Sequence, residues 1–185
     1  MKIAVFGGSF NPPHVAHVLA GALVRSTEDV DRLLVVPTYR HPFGKPLEPF
    51  SDRLAMCELA MAWMRGVEVS RVEATLGGES RTLRTLQHLA EAYPGCSLRL
   101  VMGADVLAEA PRWFGFDEIA RLAPPIVLGR VGVDVPGAGP ALLPNVSSTH
   151  VRAVIARGAW SEAEKLVPQA VLGYVRARGL YGAPA

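Results

Sequence analysis

The chain has 185 residues, half of them apolar, with two cysteines and a formal net charge of +2. That is the size of one domain, with enough apolar material to fill a core without disulfide or metal staples. The small charge excess argues against a nucleic-acid surface, no run of about 18 uncharged apolar residues is present to span a bilayer, and Cys57 and Cys96 stand in no metal-ligand spacing.

Apolar runs alternate with amphipathic stretches, the pattern of an α/β fold with a parallel sheet. Residues 2–6 are nearly all apolar and read as a strand covered on both faces. A secretion signal would need a longer apolar region, so the cytoplasm is the expected location. Residues 7–13 form a turn-rich connection. Val15, Val18, Leu19, Ala22 and Leu23 recur at helical spacing and predict a helix from about 14 to 26. Residues 33–36 make a second strand, ended by Pro37. The stretch 38–50, rich in proline, glycine and charge, reads as a long loop of the kind that handles substrates. Leu54, Ala55, Leu59 and Met61 mark the next helix, 67–69 a short strand, and 82–93 a helix stopped by Pro94-Gly95. A strand over 97–102, a helix over about 111–122 and a strand over 126–128 follow. Residues 132–144 are a Gly/Pro-rich connector. Helices over 147–157 and 168–178 close the chain, with Pro168 at a first helical position. No internal repeat interrupts this order, and residues 1–185 are expected to form a single domain.

In such sheets ligand groups gather beyond the carboxyl ends of the strands, near the point where the winding reverses. That directs attention to 7–17, 103–105 and 147–152. Gly7 and Gly8 have no Cβ and let the backbone approach an anion. The helix after them offers unpaired N–H groups and the positive end of its dipole. His14 and His17, three apart, project from one face of its first turn. Beside a polyphosphate they can donate hydrogen bonds and stabilise charge on a transferred phosphoryl group. Alone, they read equally as surface histidines or as half of a zinc site with no further ligands nearby. The dinucleotide fingerprint and the P-loop are both absent. Gly103 permits close approach, and Asp105 can accept from a ribose or cap a turn. Ser147 or Ser148 can cap a helix. Arg152, one turn on from Ser148 and Thr149, can converge with them on the outer phosphates of a nucleotide, which a guanidinium fork suits.

The run Gly7-Gly8-Ser9-Phe10-Asn11-Pro12-Pro13-His14-Val15-Ala16-His17 resembles the signature of the adenylyltransferases with an H-x-G-H motif. Its Gly-Gly-Ser-Phe-Asn-Pro-Pro-His form resembles the bacterial nicotinate-nucleotide adenylyltransferases in particular, with Ala16 where that family has glycine. Ser147-Ser148-Thr149-His150-Val151-Arg152 is similar to the family's I-S-S-T-x-I-R, and Gly103-Ala104-Asp105 to its nucleotide-contacting G-x-D. Ser80 to Leu86 is similar to its S-Y-T-x-x-T-L, with Arg81 in place of tyrosine. Trp113 resembles its tryptophan near the pyridine ring, and Phe114 falls where an aromatic is common. Lys45, four residues after His41, stands near the family's adjacent His-Lys. Lys165-Leu166-Val167-Pro168, Tyr174-Val175 and Leu180-Tyr181 resemble its C-terminal segment.

The resemblance implies a Rossmann-like, doubly wound parallel sheet with C-terminal helices. It implies an enzyme of NAD biosynthesis that moves AMP from ATP to nicotinate mononucleotide, giving deamido-NAD and pyrophosphate. Mg²⁺ would bridge phosphate oxygens, with no protein metal site. His14, His17, Arg152 and Lys45 would do the charge work. Gly7, Gly8, Ser9, Phe10, Gly103, Asp105, Ser147, Ser148 and Thr149 would surround ATP, together with the histidines and Arg152. Lys45, Thr82, Thr85, Trp113 and Phe114 would take the pyridine nucleotide. Three alternatives stay open: nicotinamide mononucleotide as substrate, another adenylyl- or cytidylyltransferase of the superfamily such as the phosphopantetheine enzyme, against which the Asn-Pro-Pro-His stretch, Trp113 and Thr82 speak, and a nucleotide-binding protein with impaired catalysis. So does the oligomeric state, a homo-oligomer included.

Overall fold

Ile3, Ala4 and Val5 are all buried in the first strand, as a strand covered on both faces requires. The computed structural model describes residues 1–110, 113–136 and 139–183. Its six strands are β1 (Lys2–Gly8), β2 (Arg32–Pro37), β3 (Val67–Val69), β4 (Ser97–Gly103), β5 (Pro125–Arg130) and β6 (Ala141–Leu143). They form one sheet in the order β3-β2-β1-β4-β5-β6, parallel throughout. The chain winds one way from β1 to β3 and the other way from β4 to β6. The reversal falls between β1 and β4, which is therefore the switch point.

Side chains alternate between two cores because successive strand residues point to opposite faces. Ala4 and Phe6 join Leu33, Val35, Val101 and Ile126 on one face. That face is covered by α1 (Val15–Thr27), α2 (Phe50–Met61), α7 (Ser148–Ala156), α8 (Trp160–Ala163) and α9 (Gln169–Arg178). Ile3 and Val5 join Leu34, Val36, Leu98, Leu100 and Met102 on the other. There α3 (Val72–Leu76), α4 (Thr82–Ala92), α5 (Ala104–Glu109) and α6 (Phe116–Leu122) pack. The architecture is the doubly wound α/β sheet expected. Among the described residues no helix is long and apolar enough to cross a membrane.

Four short elements escape the sequence pattern: α3, α5, α8 and the edge strand β6, which lies inside the Gly/Pro-rich connector. Elements of three to six residues are too short to show a period. The helix expected from 111 also starts later. Pro111 and Arg112 lie outside the described residues, and Trp113 and Phe114 sit in a turn. Gly115, with a left-handed φ of 71°, is the N-cap of α6. A helix entered through a left-handed glycine cannot extend back across it.

Candidate active site

Gly7 and Gly8 end β1, and Gly103 ends β4, so the two central strands deliver glycines to the switch point. A cavity of about 490 Å³ opens there. A Cβ on Gly7 would meet no atom within 4 Å, so this residue leaves open space at the cavity wall. Gly8 serves the core as well: its Cβ would come 3.1 Å from the ring of Phe10. Phe10 is itself fully buried and packs edge-on to Phe6, at 5.4 Å, and to His17, at 4.9 Å. It does not line the cavity, contrary to the sequence expectation, because its large apolar ring is better buried beneath the histidines. Ser9 does line it.

His14 is the N-cap of α1, and His17 lies one turn on. Both reach the cavity, with ring centroids 3.8 Å apart and nearly parallel. The backbone N–H of His14 donates to Nδ1 of His17 at 3.1 Å. An accepting Nδ1 places the His17 proton on Nε2. Burial lowers the His14 pKa to about 3, helped by the positive charge of Arg130. Burial also holds His17 well below the ordinary range, with His14 and Arg130 adding to the effect. Both rings are therefore neutral at pH 7 and carry N–H groups rather than net charge. Among the described residues, Nδ1 of His14 is buried without a hydrogen-bond partner. A buried polar atom without a bond is costly.

The cation beside the pair is Arg130, at the end of β5, which the sequence reading passed over. Its Nη1 donates to Oδ2 of Asp105 at 2.8 Å, its Nε to the carbonyl of Pro144 at 3.4 Å, and its Nη2 to the carbonyl of Val146. Three anchors fix this guanidinium at the wall. Asp105 thus faces the cavity with one carboxylate oxygen already committed. A Cβ on Gly103 would stand 2.5 Å from Oδ1 of Asp105, so a larger residue there would displace this carboxylate.

Thr82 and Thr85 from α4 meet Trp113 and Phe114 at the same cavity. Phe114 is 75% exposed at the cavity rim. The Thr85 hydroxyl is buried and donates to Oε1 of Glu73 at 3.2 Å. Glu73, from α3, also accepts from the backbone N–H of Tyr39 at 2.9 Å and from the hydroxyl of Ser80. One carboxylate thereby ties the start of the 38–50 loop to α4. Ala16 is buried in the wall close to the histidines, so its methyl group does stand at the site.

Several expected residues are not on this wall. Arg152 donates through Nη1 to the carbonyl of Asn11 at 2.9 Å and through Nη2 to the hydroxyl of Thr149 at 3.2 Å. Ser148 donates to the carbonyl of Pro12 at 3.0 Å, and Ser147 caps α7 by accepting from the N–H of His150 at 3.2 Å. Ser148 and Arg152, with Thr149 behind Arg152, thus meet on the backbone of the 11–12 turn rather than on the cavity. Open carbonyls within reach satisfy donors that would otherwise go unpaired. Lys45 lines a neighbouring cavity of about 660 Å³ with Arg40, Glu48 and Arg53, and His41 touches both cavities.

Residues 5–154 match the family described as Cytidylyltransferase-like. The chain belongs to that family. Within it, a protein of Anaeromyxobacter sp. (strain K), named probable nicotinate-nucleotide adenylyltransferase, is 48% identical, the match covering 97% of this chain and 96% of the relative. One of the same name from Myxococcus xanthus (strain DK1622) is 40% identical, over 98% of this chain and 95% of the relative. The fold is shared with the Plasmodium falciparum nicotinic acid mononucleotide adenylyltransferase complexed with NaAD, at TM-score 0.86 and 16% identity, over 99% and 98% of the two chains.

Two members of this cytidylyltransferase-like site were missing from the sequence reading, Arg130 and Glu73. Arg130 had a signal: it is a basic residue at the carboxyl end of a strand beside the switch point, where ligand groups gather. Glu73 had none, since its five-residue helix carries no readable period.

Proposed function

We propose that the chain transfers the AMP unit of ATP to the phosphate of nicotinate mononucleotide, releasing pyrophosphate and forming deamido-NAD. One observation carries the reading. A single cavity across the switch point joins a phosphate-type end (Gly7, His14, His17, Arg130) to a ring-binding end (Thr82, Thr85, Trp113, Phe114). The names of the relatives, matched over nearly their full length, support the same substrate pair.

The reaction needs no enzyme nucleophile. An oxygen of the mononucleotide phosphate attacks the α-phosphorus in line, a P–O bond forms, and the bond to the bridging oxygen breaks as pyrophosphate leaves. Alignment and charge stabilisation supply the acceleration. The neutral histidines donate hydrogen bonds to the phosphate oxygens, and Arg130 holds a fixed positive charge beside them. Arg152, through its bonds to the Asn11 carbonyl and the Thr149 hydroxyl, stiffens the turn that leads to the histidines. Lys45 and His41, in the 38–50 loop, close over the mononucleotide. Trp113 packs on the pyridine ring. The first turn of α4, with no acidic residue and free N–H groups, favours a carboxylate over an amide on that ring.

Mg²⁺ would come with the triphosphate. Among the described residues no three His, Cys, Asp or Glu side chains cluster as a metal cage. In the cavity, Glu73 and Asp105 already bind protein donors. That donor set suits a hydrated ion held mainly by phosphate oxygens, which is how Mg²⁺ usually meets nucleotides. Its chemistry is to neutralise charge on the departing pyrophosphate. The chain would work as a single nucleotidyltransferase domain in the cytoplasm, where its ATP is.

Pyrophosphate release tests the assignment. With ATP, nicotinate mononucleotide should give the fastest turnover in a panel that includes nicotinamide mononucleotide and phosphopantetheine. Faster turnover of another acceptor would reassign the substrate. No release with any acceptor would leave a nucleotide-binding protein, with the Ala16 methyl as the first suspect.

A further inference from the structure

We propose that Tyr181, in the turn after α9, is a positioning residue for this transfer: its hydroxyl fixes Asn11, and through Asn11 the histidine pair. The inference rests on the transfer reading above.

The two residues are 170 positions apart, yet the Tyr181 hydroxyl donates to Oδ1 of Asn11 at 3.0 Å, with both side chains buried. The same Oδ1 accepts from the N–H of Glu48 at 3.2 Å, and the N–H of Tyr181 donates to Oε1 of Glu48 at 3.2 Å. A closed ring of hydrogen bonds therefore links the C-terminal turn, the 38–50 loop and the turn before α1. Buried phenol hydroxyls are costly unless bonded, so this one is spent on a defined acceptor.

The backbone gives an independent sign. Among the described residues, Phe10 (φ 45°) and Tyr181 (φ 60°) are the only non-glycine residues in the left-handed region. Side chains avoid that region and occupy it where surrounding structure over-determines them, most often at functional sites. These two residues flank one hydrogen bond: Tyr181 makes it, and Phe10 immediately precedes its acceptor. The turn at Phe10 sends its ring under His17, with centroids 4.9 Å apart, and sends Asn11 toward Tyr181. After Asn11 come Pro12 and Pro13, whose rings fix φ and leave little slack before His14. A shift at Asn11 is thus passed to His14 rather than absorbed. Its cost falls on alignment for the chemical step, since neither Tyr181 nor Asn11 lines the cavity where the substrates would bind.

Tyr181→Phe in the full chain removes the hydroxyl, with its contact to Sδ of Met56, and keeps the ring in the core. With ATP and nicotinate mononucleotide, kcat should fall roughly 10- to 100-fold, the range seen when reacting groups are misplaced by about an ångström. Both KM values should stay within about twofold, as expected for an interaction that matters in the transition state and not in binding. The thermal midpoint should move little. In an Asn11→Ala background the further change Tyr181→Phe should cost nothing more, because one bond cannot be lost twice. An unchanged kcat in Tyr181→Phe overturns the proposal. So does a rise in KM without a fall in kcat, or losses that multiply in the double variant. If Asn11→Ala does not fold, the kcat and KM of Tyr181→Phe decide alone. A wild-type chain inactive on both substrates would sink the transfer reading instead, while an active wild type matched by Tyr181→Phe would sink only the positioning role.

Discussion

Burial keeps His14 and His17 uncharged at neutral pH. His14 titrates near 3 in the folded chain against an ordinary 6.5, and His17 is shifted the same way. Between those values the unfolded chain binds more protons than the folded one. Stability therefore falls as pH drops below about 6.5 and goes on falling toward about 3. Urea midpoints should decline through that window, and His14→Gln should flatten the slope; a slope unaffected by the substitution would contradict the assigned pKa. Chemistry at the same residues gives a second expectation. His17→Ala should lower kcat by roughly 10²- to 10³-fold, the usual loss for one donor aimed at developing charge. Far-ultraviolet circular dichroism should stay unchanged, and comparable turnover in the variant would remove His17 from the mechanism.

At the level of elements, position is set by a few conformational punctuators. Gly115 starts α6 at φ 71°, and a Cβ there would stand 2.7 Å from Cδ2 of Leu83 in α4. Gly115→Ala should cost about 1–3 kcal/mol, as a left-handed non-glycine residue does. Chemical denaturation measures it directly, and a loss well under 1 kcal/mol would mean that this entry to α6 is not fixed. Trp113 and Phe114 precede this glycine, so the same strain should raise the KM for the mononucleotide more than that for ATP. Long elements were readable in advance. The apolar run of β1 and the helical spacing of α1 are local patterns enforced by burial. The late start of α6 was not, because a glycine's φ depends on what packs around it.

For the whole molecule, the C-terminal helix holds the fold and the turn after it serves the site. Asp52 in α2 is buried and accepts from the Tyr174 hydroxyl at 2.7 Å and from Nε of Arg178 at 3.3 Å, binding α9 to α2. Tyr174→Phe should lower the unfolding free energy by about 1–3 kcal/mol, as loss of a hydrogen bond to a charged group does. It should leave kcat unchanged, the reverse of the pattern expected for Tyr181→Phe one turn and a bend later. What the sequence determined by itself was local: glycines at a strand end, two histidines at helical spacing, and threonines on one face of α4. Side chains three or four apart meet wherever their helix goes. Tertiary structure alone decided which distant groups join them. It put Arg130 beside the histidines and turned Arg152 onto Asn11, placed Glu73 behind Thr85, and bonded Tyr181 to Asn11. Such contacts depend on strand order and on which donors find open acceptors, and spacing along a chain carries no record of either.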